Sequence, residues 1–312
     1  MKIALISPGD RVDKITKPLD TTDIDYTVNP DTVRKYDVIL CDTPDRGMAK
    51  WYFRARAYRK PILYRMRGDP YFGIDEWIDN KVKKKIMRYL LANVDVTITI
   101  SQYQAEKYHD KTNVPTKNVR LPKNVKEWPD TKHTDRELRI VTLTNATYWE
   151  KVKPILMYAP VINRYLNANG GYWIIGSWTT GNYSNRIRKA LSGYNKISYE
   201  IQLDAKQEME NSNLMIHVSN FDVFPNAVLE AMASRIPVIT NPYIAFTESD
   251  APISIAKPET IKHLLDMPPK RRQELGDKGY RYVKQNHTPE IIGQEYQKAI
   301  VGLTNIWTKN HF

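Results

Sequence analysis

The sequence alternates short apolar runs with longer segments of helical periodicity along its whole length, and this pattern constrains the fold most. The runs are rich in Ile, Val and Leu and end at polar residues, Pro or Gly, as strands buried on both faces of a parallel sheet do. Strands that alternate with helices are typical of βαβ units. The pattern therefore predicts an α/β protein with doubly wound, parallel sheets.

The predicted strands and helices form two similar halves and a helical tail. In the first half the strands are Lys2 to Ser7, Tyr36 to Cys41, Pro61 to Met66, Val94 to Ile100 and Asn118 to Leu121, with a helix at Asp75 to Ala92. In the second half the strands are Leu138 to Leu143, Tyr172 to Ile175, Ile197 to Ile201, Leu214 to Val218 and Pro237 to Thr240. The helices of that half are Lys153 to Asn167, Tyr183 to Ser192, Ala205 to Ser212 and Pro225 to Ser234. Three last helices, each starting at a proline as helix N-termini favour, are Pro258 to Leu265, Pro269 to Asn286 and Pro289 to Trp307.

A polar stretch separates the two halves. Residues 122–137 contain two prolines and many charges with almost no apolar periodicity, so we predict a linker there. The length of 312 residues suits two domains at about 100 to 200 residues each. We predict Rossmann-like domains at 1–121 and 138–288 that face a central cleft, and a C-terminal helix at 289–312 that packs back on the first domain.

The chain is strongly basic, with 47 Lys and Arg against 35 Asp and Glu and a formal net charge of +12. This excess predicts a phosphate-bearing partner and leaves nucleic acid, nucleotides and anionic membrane open. Two thirds of the net charge lies between Lys50 and Arg88, where twelve cations meet four acids. Aromatic residues interleave with these cations, which suits a surface that touches anionic lipid and equally one that binds a polyanionic acceptor. A solvated helix face is the simpler alternative.

Several classes of protein are excluded by what the sequence lacks. The single cysteine, Cys41, excludes an internal disulfide framework, and no paired Cys and His residues have the spacing of a zinc site. The first apolar run is too short for a signal peptide, and no window approaches the roughly 18 apolar residues that a membrane span needs. We therefore expect a cytoplasmic protein, with a peripheral contact at the inner membrane face through the basic segment as a further expectation.

The most informative stretch runs from Ser219 to Ile239, where a strand ends, a loop presents Asp222 and a helix begins. Proline at 225 suits the first helical position, so the free amides of Asn226, Ala227 and Val228 would form an anion site with the positive helix dipole behind them. Glu230 lies about one and a half turns further along this helix. Its carboxylate is placed to bind two neighbouring sugar hydroxyls.

This stretch resembles the donor-site segment of the retaining glycosyltransferases of family 4, which have the GT-B fold. Asp222 and Glu230 hold the two acidic positions of that family's Glu-x7-Glu pattern. The other matching residues are Phe224, Pro225 and Asn226, then Leu229, Ala231, Met232 and Ala233, then Pro237, Val238 and Ile239. The resemblance implies that Glu230 binds the nucleotide ribose and that Asp222 binds hydroxyls of the transferred sugar.

Weaker matches extend the resemblance over nearly the whole chain. They are Val94 to Ser101, Leu121 to Val125, Leu138 to Leu143 followed by Lys151, Tyr172 to Gly176, and the Ser7-Pro8-Gly9 turn. By this resemblance the first domain binds the acceptor and the second binds a nucleotide-diphosphate sugar, with Gly9 near the diphosphate. The family is metal-independent and uses no cofactor, so fixed cations, led by Lys151, would stabilise the leaving diphosphate.

The sequence also departs from the family pattern. Asp222 is one methylene shorter than the usual Glu, which implies a closer sugar, a water-mediated contact or reduced activity. The Arg that usually precedes the lysine is missing between Thr144 and Glu150. We expect Arg67 to supply the missing diphosphate charge and Asp69 to contact acceptor or sugar, with a loop salt bridge between Arg67 and Asp69 as the alternative.

The leading hypothesis is a glycosyltransferase that moves a sugar from a nucleotide-diphosphate sugar to an unknown acceptor with retention of configuration. The concentrated basic segment predicts an acidic acceptor, such as an anionic lipid-linked glycan, a polymer or nucleic acid. The alternative is a catalytically weakened binding module that uses the basic face for nucleic acid, lipid or a protein partner. His217, inside an apolar strand, is expected to be a core histidine, while Asp222 and Glu230 have the simpler alternative of a helix cap and a solvated helix residue.

Overall fold

The computed structural model shows two compact units, formed by Met1–Pro122 with Pro289–Phe312 and by Lys123–Thr288. We call them the first and the second unit. The structure describes residues 1–7, 12–42, 46–66, 74–75, 78–133, 137–144, 149–166, 170–176, 182–201, 204–220, 222, 225–241 and 250–311.

The first unit is built on a six-stranded parallel sheet with the strand order β2-β1-β3-β4-β5-β6. Its strands are β1 (Lys2–Ile6), β2 (Asp25–Val28), β3 (Val38–Cys41), β4 (Ile62–Arg65), β5 (Val96–Thr99) and β6 (Thr116–Asn118). Its helices before residue 122 are α1 (Asp13–Leu19), α2 (Arg46–Ala57), α3 (Lys81–Ala92) and α4 (Gln102–Thr112). The chain crosses from β1 outward to β2 and then back to β3, so the strand order reverses between β1 and β3.

The sheet of the first unit is covered on both faces, which explains its continuous apolar strands. Along β1, Ile3 and Leu5 pack with α1, whereas Ala4 and Ile6 pack on the other face with residues of α2, α3 and α4. This alternation follows from the period of two along a strand.

The second unit repeats the design with the strand order β12-β11-β10-β7-β8-β9, again all parallel. Its strands are β7 (Arg139–Thr144), β8 (Gly171–Gly176), β9 (Ile197–Ile201), β10 (Leu214–His217), β11 (Val238–Thr240) and β12 (Ser254–Ile255). Its helices are α5 (Trp149–Tyr165), α6 (Asn182–Leu191), α7 (Ala205–Asn211), α8 (Asn226–Ala233), α9 (Pro258–Leu265) and α10 (Pro269–Asn286). Counted within the unit this is the Rossmann order, which reverses between β7 and β10.

The last helix, α11 (Pro289–His311), returns to the first unit and packs on α1. Ile292, Tyr296 and Ile300 of α11 are fully buried in the core that Ile3 and Leu5 share. The two helices approach closely because residue 293 is glycine: a Cβ there would lie 2.4 Å from the carbonyl oxygen of Pro18. This contact makes the C-terminal helix part of the first unit's core.

The segment predicted as a linker, 122–137, is largely part of the second unit, which begins at Lys123. A 3₁₀ helix forms at Val125–Glu127 with Asn124 as its cap. Further on, Thr131 donates a 3.2 Å hydrogen bond to the carbonyl oxygen of Met209. The polar composition of this segment predicted a linker, but polar groups such as the Thr131 hydroxyl form hydrogen bonds within the second unit.

Two strands of the structure are absent from the sequence prediction, β2 and β12. Both lie at sheet edges, and β2 has the mixed sequence DYTV with three of its four residues exposed. An edge strand with exposed polar residues lacks the apolar run that identifies a central strand. The strand predicted at Asn118 to Leu121 lies earlier in the sequence, because the structure has it at Thr116–Asn118 as β6.

Arg235 ends the turn after α8 in the left-handed region, with φ of 59°. Its guanidinium group contacts Asp130 and Asp277 at 2.5 and 2.6 Å and lies 4.0 Å from the ring centroid of Tyr280. These contacts hold a non-glycine residue in a conformation that costs about 1 kcal/mol. The side chain therefore acts structurally at this turn.

Candidate active site

The candidate site lies at the carboxyl ends of β7 and β10, where the strand order of the second unit reverses. Open α/β sheets bind ligands at this point because the chain leaves the two neighbouring strands toward opposite faces and opens a crevice between them. Lys151 lies in the first turn of α5, which follows β7, and Asp222 follows β10. The topology therefore brings together two residues that are 71 positions apart in sequence.

Asp222 is held by three contacts. Its Oδ1 lies 2.8 Å from Nζ of Lys151, and its Oδ2 lies 3.4 Å from Nε2 of His217. Its backbone N–H donates a 3.0 Å hydrogen bond to Oγ of Ser219. The carboxylate remains 18% exposed, so it is oriented by protein groups but is still within reach of a ligand.

The ionisation of Asp222 is set by two opposing effects. Burial raises the pKa of this carboxyl, but the contacts with His217 and Lys151 outweigh burial and hold the pKa well below its usual range. The carboxylate is therefore ionised at neutral pH and can accept hydrogen bonds from sugar hydroxyls.

Glu230 forms a second lysine–carboxylate pair in the same unit. Its Oε1 lies 2.8 Å from Nζ of Lys123, with the side chains 19% and 11% exposed. Lys123 is itself fixed, because its backbone N–H donates a 2.6 Å bond to the carbonyl oxygen of His287 and its ammonium group lies 5.0 Å from the ring centroid of Trp128. The pair leaves Oε2 of Glu230 as the atom best placed to accept from a ligand.

The helix that carries Glu230 begins one residue later than predicted. Pro225 is the N-cap of α8, with extended φ and ψ of −73° and 126°, and Asn226 is its first helical residue. Pro225 provides no side-chain cap, so the amides of Asn226 and Ala227 start the helix without one. The Oδ1 atom of Asn226 is buried and has no hydrogen-bond partner among the described residues. This helix start offers donors and the positive end of a dipole to an anion.

The buried face of α8 fixes the position of its charged residues. Val228, Leu229 and Met232 are buried against the sheet and α10. On the α10 side, Gly279 allows the close approach, since a Cβ there would lie 3.2 Å from the Met232 side chain. Glu230 is held on the more accessible side of the same helix.

Four predicted site residues lie outside the described residues: Gly9, Arg67, Asp69 and Phe224. Their assignments stay predictions. The structure brings together Lys151 with Asp222 directly, and places Glu230, Pro225, Asn226 and Ala227 on one helix or at its start.

Sequence reasoning missed the roles of His217 and Lys123. His217 is buried as expected, but it is the last residue of β10 and faces Asp222, and its Nδ1 finds no hydrogen-bond partner within the described ranges. The signal was its place at the carboxyl end of a strand, five residues before the acid. Lys123 follows the strands of the first unit directly, and nothing local in its sequence points to Glu230.

The first unit has its own polar cluster where its strand order reverses, between β1 and β3. Ser7 donates a 2.9 Å hydrogen bond from Oγ to Oδ2 of Asp42, and Arg65 Nη1 lies 2.8 Å from Oδ1 of the same carboxylate. The Arg65 and Asp42 side chains are 2% and 0% exposed. Both carboxylate oxygens of Asp42 are thus used inside the protein.

The chain is similar in sequence to a known protein over nearly its whole length. A viral protein, ORF31 of a virus isolate from Australia/Victoria, is named as a glycosyltransferase and is 36% identical over 311 residues, covering 98% of each chain. No family model matches the chain.

Solved structures with low sequence identity share the fold. Sucrose-phosphate synthase from Thermosynechococcus elongatus matches with a TM-score of 0.74 and 14% identity over 98% of this chain and 100% of that one. HepE from Anabaena, solved with UDP, matches with a TM-score of 0.72 and 13% identity over 97% of this chain and 100% of that one. TarM from S. aureus matches with a TM-score of 0.67 and 15% identity over 86% of this chain and 55% of that one.

The two Rossmann-like sheets thus define a protein with the GT-B fold, as predicted. The identity to the viral relative over nearly the full length shows more than the fold. The chain belongs to the glycosyltransferases. Among the described residues, no helix has the length and apolar character to cross a bilayer.

Proposed function

We propose that the chain transfers a sugar from a nucleoside-diphosphate sugar to an acidic acceptor with retention of anomeric configuration, as family 4 glycosyltransferases do. The observation that carries this proposal is the Lys151–Asp222 pair at the reversal point of the second sheet, with Glu230 on the next helix. Cation, sugar-binding acid and ribose-binding acid are the three groups that such a donor requires.

Lys151 and the start of α8 are assigned to the diphosphate. As the bond between the anomeric carbon and the diphosphate oxygen breaks, negative charge grows on the phosphates, and a fixed ammonium and helix amides stabilise it. These groups do what a metal does elsewhere, so the proposed transfer needs neither metal nor cofactor. Arg67 and the turn at Gly9 remain predicted as further contacts to the diphosphate.

Asp222 and Glu230 are assigned to hydroxyl groups. Asp222 accepts from hydroxyls of the transferred sugar, and Glu230 accepts from the two ribose hydroxyls. The acceptor oxygen attacks from the face that the diphosphate leaves, and its proton passes to a leaving phosphate oxygen. The new glycosidic bond therefore keeps the configuration of the bond that breaks, and no covalent enzyme intermediate is required.

The acceptor is proposed to bind the first unit. The net charge of +8 between Lys50 and Arg88 follows from twelve cations and four acids and favours an acidic acceptor. Asp69 is the predicted acceptor or sugar contact. HepE has been solved with UDP and with UDP-glucose, which makes UDP-sugars the first donors to test.

A thermal-shift panel of nucleotide sugars, followed by product analysis by NMR with the best donor in the presence of EDTA, tests the proposal. Binding raises the melting temperature by mass action, and NMR reports the configuration at the anomeric carbon. We expect Asp222→Asn to lower transfer and Glu230→Ala to weaken nucleotide binding.

Inversion of configuration, loss of turnover with EDTA, or negligible effects of both substitutions would each contradict part of the assignment. Failure of every donor would favour the alternative of a glycosyltransferase-like binding module, and salt-dependent binding of nucleic acid would then support that alternative.

A further inference from the structure

Helix α3 carries an apolar stripe on its solvent side. Val82, Ile86 and Tyr89 are 67%, 43% and 57% exposed. Their spacing of four and three residues puts them on one line along the helix. Three large apolar side chains in a row on a surface helix form a patch, unlike single exposed apolar residues, which are common.

The stripe is not a misplaced core face, because α3 already buries another face. Met87, Leu90 and Leu91 pack into the first unit, and the centre of their face lies about a third of a turn around the helix from the centre of the stripe. The helix start is also fixed, since the Asn80 side chain accepts hydrogen bonds from the backbone N–H groups of Val82 and Lys83, both at 3.0 Å. The orientation that exposes the stripe is therefore set by packing and capping.

Cations border the stripe on both sides. The helix sequence KVKKKIMRYLLA contains five Lys and Arg and no acid. By helical geometry Lys81 and Lys85 lie on one side of the stripe and Lys83 on the other. Among the described residues, no carboxylate lies within ion-pair distance of these three lysines. Arg88 differs, because it pairs with Asp75 at 2.5 Å.

We propose that this outer face of α3, defined by Val82, Ile86 and Tyr89 with Lys81, Lys83 and Lys85, docks on the surface of an anionic lipid bilayer. An interfacial helix buries its apolar stripe at the boundary between headgroups and acyl chains while its cations meet lipid phosphates. The proposal gives the predicted membrane contact a defined helix face. It rests on α3 alone and stands or falls separately from the donor chemistry.

The stripe favours lipid over nucleic acid as the anionic partner. Cations that bind nucleic acid contact phosphates, and the side chains between them are commonly polar groups or aromatic rings that stack on bases. Val82 and Ile86 are aliphatic, so they gain nothing from a phosphate backbone but leave water when they enter a bilayer. Tyr89 suits the interface, where its ring is buried and its hydroxyl stays hydrated.

Other surfaces of the chain provide matched controls. Helix α10 exposes Lys270, Lys278 and Lys284, which equal the three stripe lysines in charge but accompany Glu274 and Asp277 on the same helix. Met157 on α5 and Val301 on α11 are 65% and 41% exposed, each as an exposed apolar residue outside α3. Substitutions at these positions change the net charge or the exposed apolar surface as the α3 substitutions do, but they leave α3 itself unchanged.

Flotation of the full chain with vesicles tests the proposal. We expect binding to vesicles of mixed phosphatidylcholine and phosphatidylglycerol and little binding to phosphatidylcholine alone. Replacing Lys81, Lys83 and Lys85 by Ala should weaken binding on the order of a hundredfold, since each surface cation contributes about fivefold. Val82→Ser with Ile86→Ser should weaken binding about tenfold or more, because the apolar contribution is lost.

The control variants should bind like the wild type. These are Lys270→Ala with Lys278→Ala and Lys284→Ala, and separately Met157→Ser with Val301→Ser. All substituted side chains are exposed, and thermal unfolding of each variant checks that the fold is kept. Equal weakening by the α10 lysine variant would reduce the effect to net charge and overturn the assignment to α3.

Insertion of the stripe has a direct readout. The one cysteine of the chain, Cys41, is buried, so Val82→Cys can be labelled with an environment-sensitive fluorophore. Emission should rise and shift to the blue with anionic vesicles, whereas a label at Met157→Cys should not respond. Vesicle binding without a response at position 82, or binding of RNA in place of vesicles with the same dependence on α3, would overturn the proposal.

Discussion

Both units have polar side chains at the point where the strand order of the parallel sheet reverses, but the exposure of these side chains differs. In the first unit, the reversal point between β1 and β3 holds Ser7, Asp42 and Arg65, whose charged groups are almost completely buried. In the second unit, the reversal point between β7 and β10 holds Lys151 and Asp222, which remain partly exposed. In the first pair both carboxylate oxygens of Asp42 are bonded inside the protein, whereas the partly exposed second pair can exchange a protein contact for a ligand.

Burial explains why one pair is assigned to structure and the other to donor binding. A buried charge keeps its ion-pair partner, because after separation no water would be there to solvate it. A pair at the edge of a crevice can rearrange, because water or ligand hydroxyls replace the lost contact. Variants at the two reversal points should therefore affect different measurements.

The largest effect is expected from Arg65→Met in the first unit. Loss of the guanidinium removes the buried ion pair with Asp42, which should lower the free energy of unfolding by about 3 to 5 kcal/mol. Urea unfolding measures the change.

Two further variants check the cause of this effect. Lys2→Met removes an exposed pair with Asp25 and should cost less than about 1 kcal/mol. Asp42→Leu added to Arg65→Met removes both buried charges and should recover part of the loss. A change in stability as small as that of Lys2→Met would show that Asp42 is hydrated or paired elsewhere.

The next effect is expected from Lys151→Ala in the second unit. It should lower kcat/KM for the donor by about 3 kcal/mol, because a charged contact to a developing anion is lost. Steady-state kinetics measure the effect, and Lys153→Ala on the exposed side of the same helix is the control. Unchanged donor turnover would contradict the role assigned to Lys151.

A smaller effect is expected from Lys123→Ala, which leaves Glu230 without its cation. Nucleotide affinity, measured by calorimetry, should fall by about 1 kcal/mol because the carboxylate that we propose to bind ribose is no longer oriented. A double-mutant cycle with Glu230→Gln should show a coupling of at least about 0.5 kcal/mol, and Glu259→Gln on the exposed part of α9 serves as a control. Strict additivity of the two substitutions would mean that Lys123 does not act through Glu230.

The pH dependence of stability tests the ion pair of Asp222 in the second unit. The pKa of Asp222 is lower in the folded protein than the value of about 3.9 in an unfolded chain. Its ion pair therefore stabilises the fold fully above the unfolded pKa and loses that contribution as pH falls toward the folded pKa. Wild type and Asp222→Asn should differ most in urea unfolding at pH 5 to 7, and the difference should narrow steadily as pH falls below about 4. A difference that stays constant over this range would contradict the shifted pKa.

Periodicity predicted most of the regular structure. The helices Pro258–Leu265 and Pro269–Asn286 match their predicted bounds, because a proline at each start is a local signal for a helix N-terminus. The central strands were predicted for the same reason, since burial on both faces makes each an unbroken apolar run. The edge strands β2 and β12 were missed because they lack such runs.

The site was predicted only in part. Asp222, Glu230 and Lys151 were identified because short sequence motifs resemble those of family 4 glycosyltransferases. The structure adds the direct contact between Lys151 and Asp222. His217 had only the signal of its place at a strand end, five residues before Asp222. Lys123 could not be assigned from sequence, because its partner Glu230 is 107 residues away and only the tertiary position of α8 brings the two side chains together.

The return of α11 to the first unit has a consequence for synthesis. The second unit is contiguous in sequence, so all its residues are translated before α11 is made. The core of the first unit needs Ile292, Tyr296 and Ile300, which are translated only after the whole second unit. The first unit can therefore be completed only after the second unit has been translated, and until then part of one apolar face of its sheet is open to misfolding or to chaperones.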